Sequence, residues 1–178
     1  MTSVDNATAA GAAAPRPKMK FFSSADSPTL DETGIMVRRE FDPAIGEALD
    51  LGAIAPGSKV KVLYGSGEGE QFSLIHAWLG EGYAIPRHSH SADCIYYILA
   101  GKLVIGLREF TAGMGLFVPA NTPYSFQVAP GGVEYLEFRQ ANSFDLKVLD
   151  QDLGHWRTWV ETAKANSEVW AMTKPTDW

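Results

Sequence analysis

Several features that define other protein classes are missing from this 178-residue sequence. The single cysteine, Cys94, excludes a disulfide within the chain and is typical of a protein of the reducing cytoplasm. No uninterrupted apolar run approaches the roughly 18 residues of a membrane-spanning helix, so we expect no membrane partner. The 15 Lys and Arg residues are outnumbered by 21 Asp and Glu, and no basic patch for nucleic-acid phosphates is visible. The sequence therefore predicts a cytoplasmic protein that binds neither membranes nor nucleic acids.

Composition divides the chain into four predicted segments. Residues 1–18 are small and polar, so they predict a disordered tail and make a poor secretory signal. Residues 19–58 predict an N-terminal extension with short strands, one of them in GIMVRREF. Residues 59–140 are expected to form a single barrel domain, and residues 141–178 a C-terminal helical extension.

Short strands separated by turn residues dominate the predicted barrel. Segments rich in β-branched and aromatic residues alternate with Gly, Pro and Asn; they are KVKVLYG, QFSLIHAWLG, CIYYILAG, KLVIGLREF, GLFVP, YSFQV and VEYLEFR. This spacing is typical of an antiparallel sandwich or barrel, so the predicted fold class is all-β.

The periodicity becomes helical near the C-terminus. Apolar residues recur at helical spacing at Leu153, Trp156, Trp159, Val160 and Ala163. Asp150 or Asp152 can cap the start of this helix. We expect the helix to pack against the barrel or a second subunit, with its tryptophans used for packing rather than for ligand binding.

Two histidines one residue apart open an aromatic-rich strand in GYAIPRHSHSADCIYYILAG. Gly82 is followed by five residues and then by His88 and His90. Alternate residues of a strand face the same side, so the two imidazoles point the same way, together with Cys94 and Tyr96 if no bulge intervenes. Two such imidazoles can share one divalent ion.

A second motif follows in GMGLFVPANTPYSF. Here Gly113 is followed by five residues and Pro119, with Asn121 and Tyr124 behind it. Together the two motifs resemble the paired signatures of the cupin family over residues 59–139. The resemblance implies a small single-domain cupin, with an RmlC-like jelly-roll β-barrel, a site inside the barrel and frequent homodimers.

Two positions depart from the family's metal-ligand pattern. Cys94 stands where the family has Glu, and Tyr124 stands where it has His; in the family, these two residues complete the metal site. Asn121 replaces a glycine, which is a mild change because Asn tolerates the left-handed conformation.

Three interpretations of the site remain open. In the first, His88 and His90 hold a metal, and the third ligand comes from Cys94, Tyr124, His76, Glu134 or Glu137. In the second, the pocket is metal-free and the histidines serve as acid–base groups. In the third, the barrel merely binds a ligand or dimerises.

The first interpretation leads to our functional prediction. We expect a small-molecule enzyme that uses Fe, Zn or Mn held by His88 and His90, with dioxygenase, isomerase or lyase chemistry. Tyr124 is the predicted catalytic residue, and the predicted pocket residues or extra ligands are Cys94, His76, Tyr96 and Phe126. The alternative is a metal-free cupin that binds a small ligand without catalysis. A homodimer is expected in either case.

Overall fold

The computed structural model describes residues 18–39, 41–67, 69–173 and 175. The predicted tail therefore lies, apart from Lys18, outside the described residues. Within the predicted N-terminal extension, the helices α1 (Leu30–Thr33) and α2 (Pro43–Ala48) flank the strand β1 (Met36–Arg39), and a 3₁₀ helix (Leu51–Gly57) leads into the barrel.

The remaining strands form one curled sheet, and the predicted all-β jelly-roll fold is confirmed. They are β2 (Ser58–Tyr64), β3 (Ser73–Leu79), β4 (Ala84–Ser89), β5 (Cys94–Ile105), β6 (Arg108–Thr111), β7 (Gly115–Val118), β8 (Tyr124–Arg139) and β9 (Phe144–Val148). The strand order is β1-β9-β4-β8-β3-β2, and β5 pairs with β6, β7 and β8. The sheet thus extends beyond residues 59–140, because β9 pairs antiparallel with β4 and β1 pairs in parallel with β9.

The long strand β8 organises the barrel. Residues 124–127 pair with β4, and residues 133–139 pair with β3, while β5 lies alongside both parts. Between these parts, Gly131 and Gly132 have positive φ angles of 91° and 79°. Buried positions have one parity before this irregularity, at Phe126 and Val128, and the other parity after it, at Val133, Tyr135, Glu137 and Arg139; Glu134 is buried as well, on the opposite face. Glycine allows this change because it lacks the Cβ that penalises positive φ.

A close approach between β5 and β8 explains the last glycine of the first motif. Gly101 has φ 73°, and a Cβ there would lie 2.0 Å from the carbonyl oxygen of Gly132. No side chain fits that distance, so this position requires glycine for both conformation and space.

The helix α3 (Leu153–Met172) packs on one side of the barrel and against the 3₁₀ helix. Asp152 caps it by accepting a hydrogen bond from the backbone N–H of His155 at 2.9 Å. Its buried residues are Trp156, Val160, Ala163 and Trp170, so the predicted amphipathic helix is present. Leu153, which the periodicity placed on the buried face, is exposed instead because it begins the helix.

In the described part of the chain, no helix has the length and apolar character needed to cross a membrane.

Candidate functional site

The histidine pair lies at the end of β4, inside the curled sheet. In the sheet, His88 pairs with Tyr124 of β8 on one side and with Val148 of β9 on the other. His90 lies just after the last residue of β4. The two ring centroids are 5.0 Å apart. The backbone N–H of Asn121 donates to the carbonyl oxygen of His90 at 2.7 Å, and Asn121 adopts the left-handed φ of 58°. A residue of the second sequence motif thus holds the backbone of the first motif in place at His90.

Both imidazoles are held in one tautomer by the backbone. Nδ1 of His88 lies 2.7 Å from the carbonyl oxygen of Pro86, and Nδ1 of His90 lies 2.5 Å from that of Asp145. A carbonyl oxygen can only accept, so each Nδ1 carries the proton and donates. The Nε2 atom of each ring is therefore the nitrogen with the free lone pair.

Burial keeps both rings uncharged at neutral pH. Desolvation, followed by the neighbouring His90, lowers the pKa of His88 to about 4. Desolvation, followed by the charge of Arg139, lowers the pKa of His90 to about 4 as well. Neutral imidazoles are the form that binds metal ions or accepts protons.

Two tyrosines meet beside the histidines. The hydroxyl oxygens of Tyr96 and Tyr124 are 2.6 Å apart, and the ring of Tyr124 lies 4.3 Å from that of His88 between centroids. Tyr96 is fully buried, whereas Tyr124 is partly exposed. Burial, and then the charge of Glu137, raises the pKa of both hydroxyls, so both remain protonated at neutral pH.

Cys94 faces the same interior, as the parity argument predicts. It is buried at the start of β5, and burial followed by the charge of Glu137 raises the pKa of its thiol. A thiol with a raised pKa is a poor nucleophile and, without a metal, a poor source of thiolate.

An ion pair that the sequence analysis did not identify lies in the same interior. Nε of Arg139 donates to Oε1 of Glu137 at 2.7 Å, and the Arg139 and Glu137 side chains are only 1% and 11% exposed. Nη1 of Arg139 donates to the carbonyl oxygen of Ala92, and its guanidinium lies 4.4 Å from the ring centre of Phe144. The sequence offers Glu137 as one of several ligand candidates, but neither motif points to Arg139. The sequence does contain one relevant signal, in APGGVEYLEFR. A Pro-Gly-Gly within a strand indicates a bulge, and a bulge changes which of the following side chains face the interior.

His76 does not join this cluster. Its strand neighbour Ile75 pairs with the inward-facing Glu137, so His76 projects from the other face of the sheet. There its Nδ1 lies 2.6 Å from the Ser24 hydroxyl, and its Nε2 lies 3.8 Å from the carboxylate of Glu134. Phe126 does join the cluster, with its ring centroid 6.3 Å from that of His88.

Comparisons with known proteins identify the architecture. Neither protein-family models nor curated protein sequences gave a match. Among solved structures, the polyketide cyclase RemF from Streptomyces resistomycificus matches with a TM-score of 0.55 and 17% identity, covering 82% of this chain and 98% of that one. The chain has the cupin fold.

Other solved cupins match more distantly. KdgF from Halomonas sp. gives a TM-score of 0.42 at 16% identity, covering 48% of this chain and 80% of that one. A variant of oxalate decarboxylase from B. subtilis gives 0.48 at 16% identity, covering 72% of this chain and 31% of that one. The chain therefore spans less than a third of the decarboxylase.

The donor set of the histidine cluster fits a metal ion only in part. Two neutral imidazoles with free Nε2 atoms suit a divalent ion such as Zn or Fe. Across the described ranges, however, no group of three or more His, Cys, Asp or Glu side chains is placed to hold an ion. Cys94 and Tyr124 are protonated, and Glu137 is engaged by Arg139.

Proposed function

We propose that this cupin is a small-molecule enzyme whose barrel holds one divalent metal ion, Fe, Zn or Mn, at His88 and His90. The observation that carries the proposal is the pair of Nδ1–H donations to backbone carbonyls. These bonds fix the orientation of each ring and leave Nε2 free, as in metal-binding histidines generally. Burial adds to this by keeping both rings neutral.

Charge balance in the barrel is compatible with a bound cation. The guanidinium of Arg139 lowers the pKa of His90 and would repel a metal ion if it stood alone. Glu137 pairs with it, so the two side chains together add no net charge to the interior. Glu137 therefore keeps the site accessible to a cation.

The chain's own residues would then handle the substrate. A bound metal ion would act as a Lewis acid on a substrate oxygen. Tyr124 is partly exposed and protonated, and Tyr96 is hydrogen-bonded to it, so Tyr124 can donate a proton to a molecule in the barrel. Phe126 supplies an apolar wall. Dioxygenase, isomerase and lyase reactions all remain open, because a fold does not select a reaction.

A second candidate is a metal-free barrel that captures a small ligand. The guanidinium of Arg139 favours it, because its Nη2 is buried without a hydrogen-bond partner among the described residues and can donate to a polar ligand although Glu137 balances the charge. In this case, His88 and His90 act as hydrogen-bond acceptors or bases.

Metal titration separates the two candidates. We expect chelator-treated protein to bind one equivalent of Zn²⁺ or Mn²⁺ per chain by calorimetry. We expect His88→Ala and His90→Ala to abolish this binding, because each removes one of two nitrogen ligands. The control is His155→Ala, since His155 is an exposed residue on α3. The metal-dependent proposal is contradicted if both His88→Ala and His90→Ala still bind the metal ion, or if the wild-type protein binds none.

We also propose that the protein is a homodimer. An exposed apolar patch covers the outer face of β5, β7 and β8, where Ile95 pairs with both Phe117 and Phe138. These side chains are 48%, 60% and 38% exposed. A contiguous patch of this kind is self-complementary in a two-fold dimer.

Sedimentation tests the dimer. Ile95→Lys should shift a dimer to a monomer, whereas Val169→Lys on exposed α3 surface should not. A wild-type monomer at micromolar concentration contradicts this proposal. The cytoplasmic location stays a prediction from the single cysteine.

A further inference from the structure

A groove lies outside the histidine cluster, between α3 and the paired strands β4 and β8. The groove has a volume of about 490 Å³. This falls in the range of about 300–1,000 Å³ for small-molecule sites. Phe126 lines the groove and also contacts His88, so the groove adjoins the barrel interior.

The groove has an aromatic wall with one unsatisfied donor. Trp156 and Trp159 both line it, with ring centroids 5.0 Å apart. Nε1 of Trp156 donates to the carbonyl oxygen of Asp150 at 2.8 Å. Nε1 of Trp159 is buried and has no hydrogen-bond partner among the residues that the structure describes. Buried N–H groups are normally paired, so the aromatic wall contains one donor that the described residues leave unsatisfied.

The rim of the groove carries a cation that is available to a ligand. Arg87 is exposed at the end of β4, and the structure records no acceptor for its guanidinium in the described ranges. The acidic residue of the rim, Asp150, is engaged, because it lies 3.2 Å from Nδ1 of His155 and accepts the backbone N–H of Asp152. Asp150 keeps its negative charge in these bonds, so the attraction for an anionic or strongly polar oxygen is local to the guanidinium of Arg87.

We infer that this groove binds a planar aromatic molecule that carries a carboxylate. The aromatic part packs against the tryptophan wall, and the carboxylate accepts from Arg87. The inference is independent of the proposed metal chemistry, because none of its binding groups belongs to the histidine pair.

Binding of 2-naphthoate to the whole chain tests the inference, with 2-naphthamide as the neutral analogue. Binding should be saturable and equally strong after chelator treatment. Thr158→Trp and Gln127→Trp fill the groove from opposite walls at exposed positions, and each should weaken binding at least about tenfold. The matched control is Ala165→Trp, which adds the same indole to an exposed position of α3 outside the groove.

The role of the rim cation has its own comparison. Arg87→Gln should weaken 2-naphthoate binding about three- to tenfold and leave 2-naphthamide binding unchanged, because only the former carries the charge. No saturable binding at millimolar probe overturns the inference. The inference is also overturned if Thr158→Trp, Gln127→Trp and the control Ala165→Trp all bind the probe with equal affinity, because the probe then binds elsewhere. Circular dichroism confirms that each variant is folded.

Discussion

Replacing Glu137 with Gln should destabilise the protein far more than an ordinary loss of an ion pair. The side chain keeps its shape, so no cavity term enters. The amide oxygen of Gln still accepts from Nε of Arg139, but the negative charge is lost and the guanidinium is left buried without a counter-charge. Together these effects cost about 3–5 kcal/mol, as for other buried pairs that lose one partner.

Glu109→Gln is the matched control for this prediction. Glu109 pairs with Lys102 at 2.9 Å, but the Lys102 and Glu109 side chains are 37% and 59% exposed. Its loss should cost less than about 1 kcal/mol, because water solvates both groups. Urea unfolding at pH 7 measures both variants, provided that the denaturant slope is unchanged. If the two variants lose the same free energy of unfolding, the buried pair does not have the role assigned to it here.

Two further predictions concern the histidines and a glycine. In chelator-treated protein, the free energy of unfolding should fall as the pH drops from about 7 to about 4, because the unfolded chain protonates His88 and His90 near 6.5 and the folded chain does not. In the double variant His88→Ala/His90→Ala, the urea midpoint of unfolding should decrease less between pH 7 and pH 4 than it does in the wild-type protein. An equal decrease would contradict the assignment. Gly101→Ala should cost several times more free energy of unfolding than Gly106→Ala, measured by the same urea assay. Both have positive φ, but only the former meets the Gly132 carbonyl, since nothing lies within 4 Å of a Cβ at Gly106; equal losses would refute the steric argument.

The sequence predicted the interior of the barrel where alternation alone decides it. Cys94, Tyr96 and Ile98 are buried and Asp93 and Ile95 are exposed, as the period of two requires. The histidine pair also lies inside, although His90 falls just beyond β4. The all-β class followed from the spacing of strands and turn residues, whereas the jelly-roll barrel was implied by the resemblance to the cupin signatures.

The rest of the site depends on register, which a single sequence does not determine. Whether Glu134 or Glu137 faces the histidine pair depends on the irregularity at Gly131 and Gly132, which exchanges the inner and outer faces of β8. His76 occupies the outer face because of how β3 pairs with that same segment. Arg139 was missed because an arginine at the end of a strand is usually exposed.

The groove could not be predicted for a related reason. It forms where α3 approaches β4 and β8, strands that are distant in the sequence from the helix. Amphipathic periodicity predicted that the helix packs, but not which strands it meets or what space is left between them.

The most direct test of the central claim is a crystal structure of the protein soaked in Mn²⁺, recorded at a wavelength with manganese anomalous signal. We expect one anomalous peak within about 2.0–2.3 Å of Nε2 of both His88 and His90. Anomalous density elsewhere in the barrel, or none between the two rings while calorimetry shows binding, would contradict it.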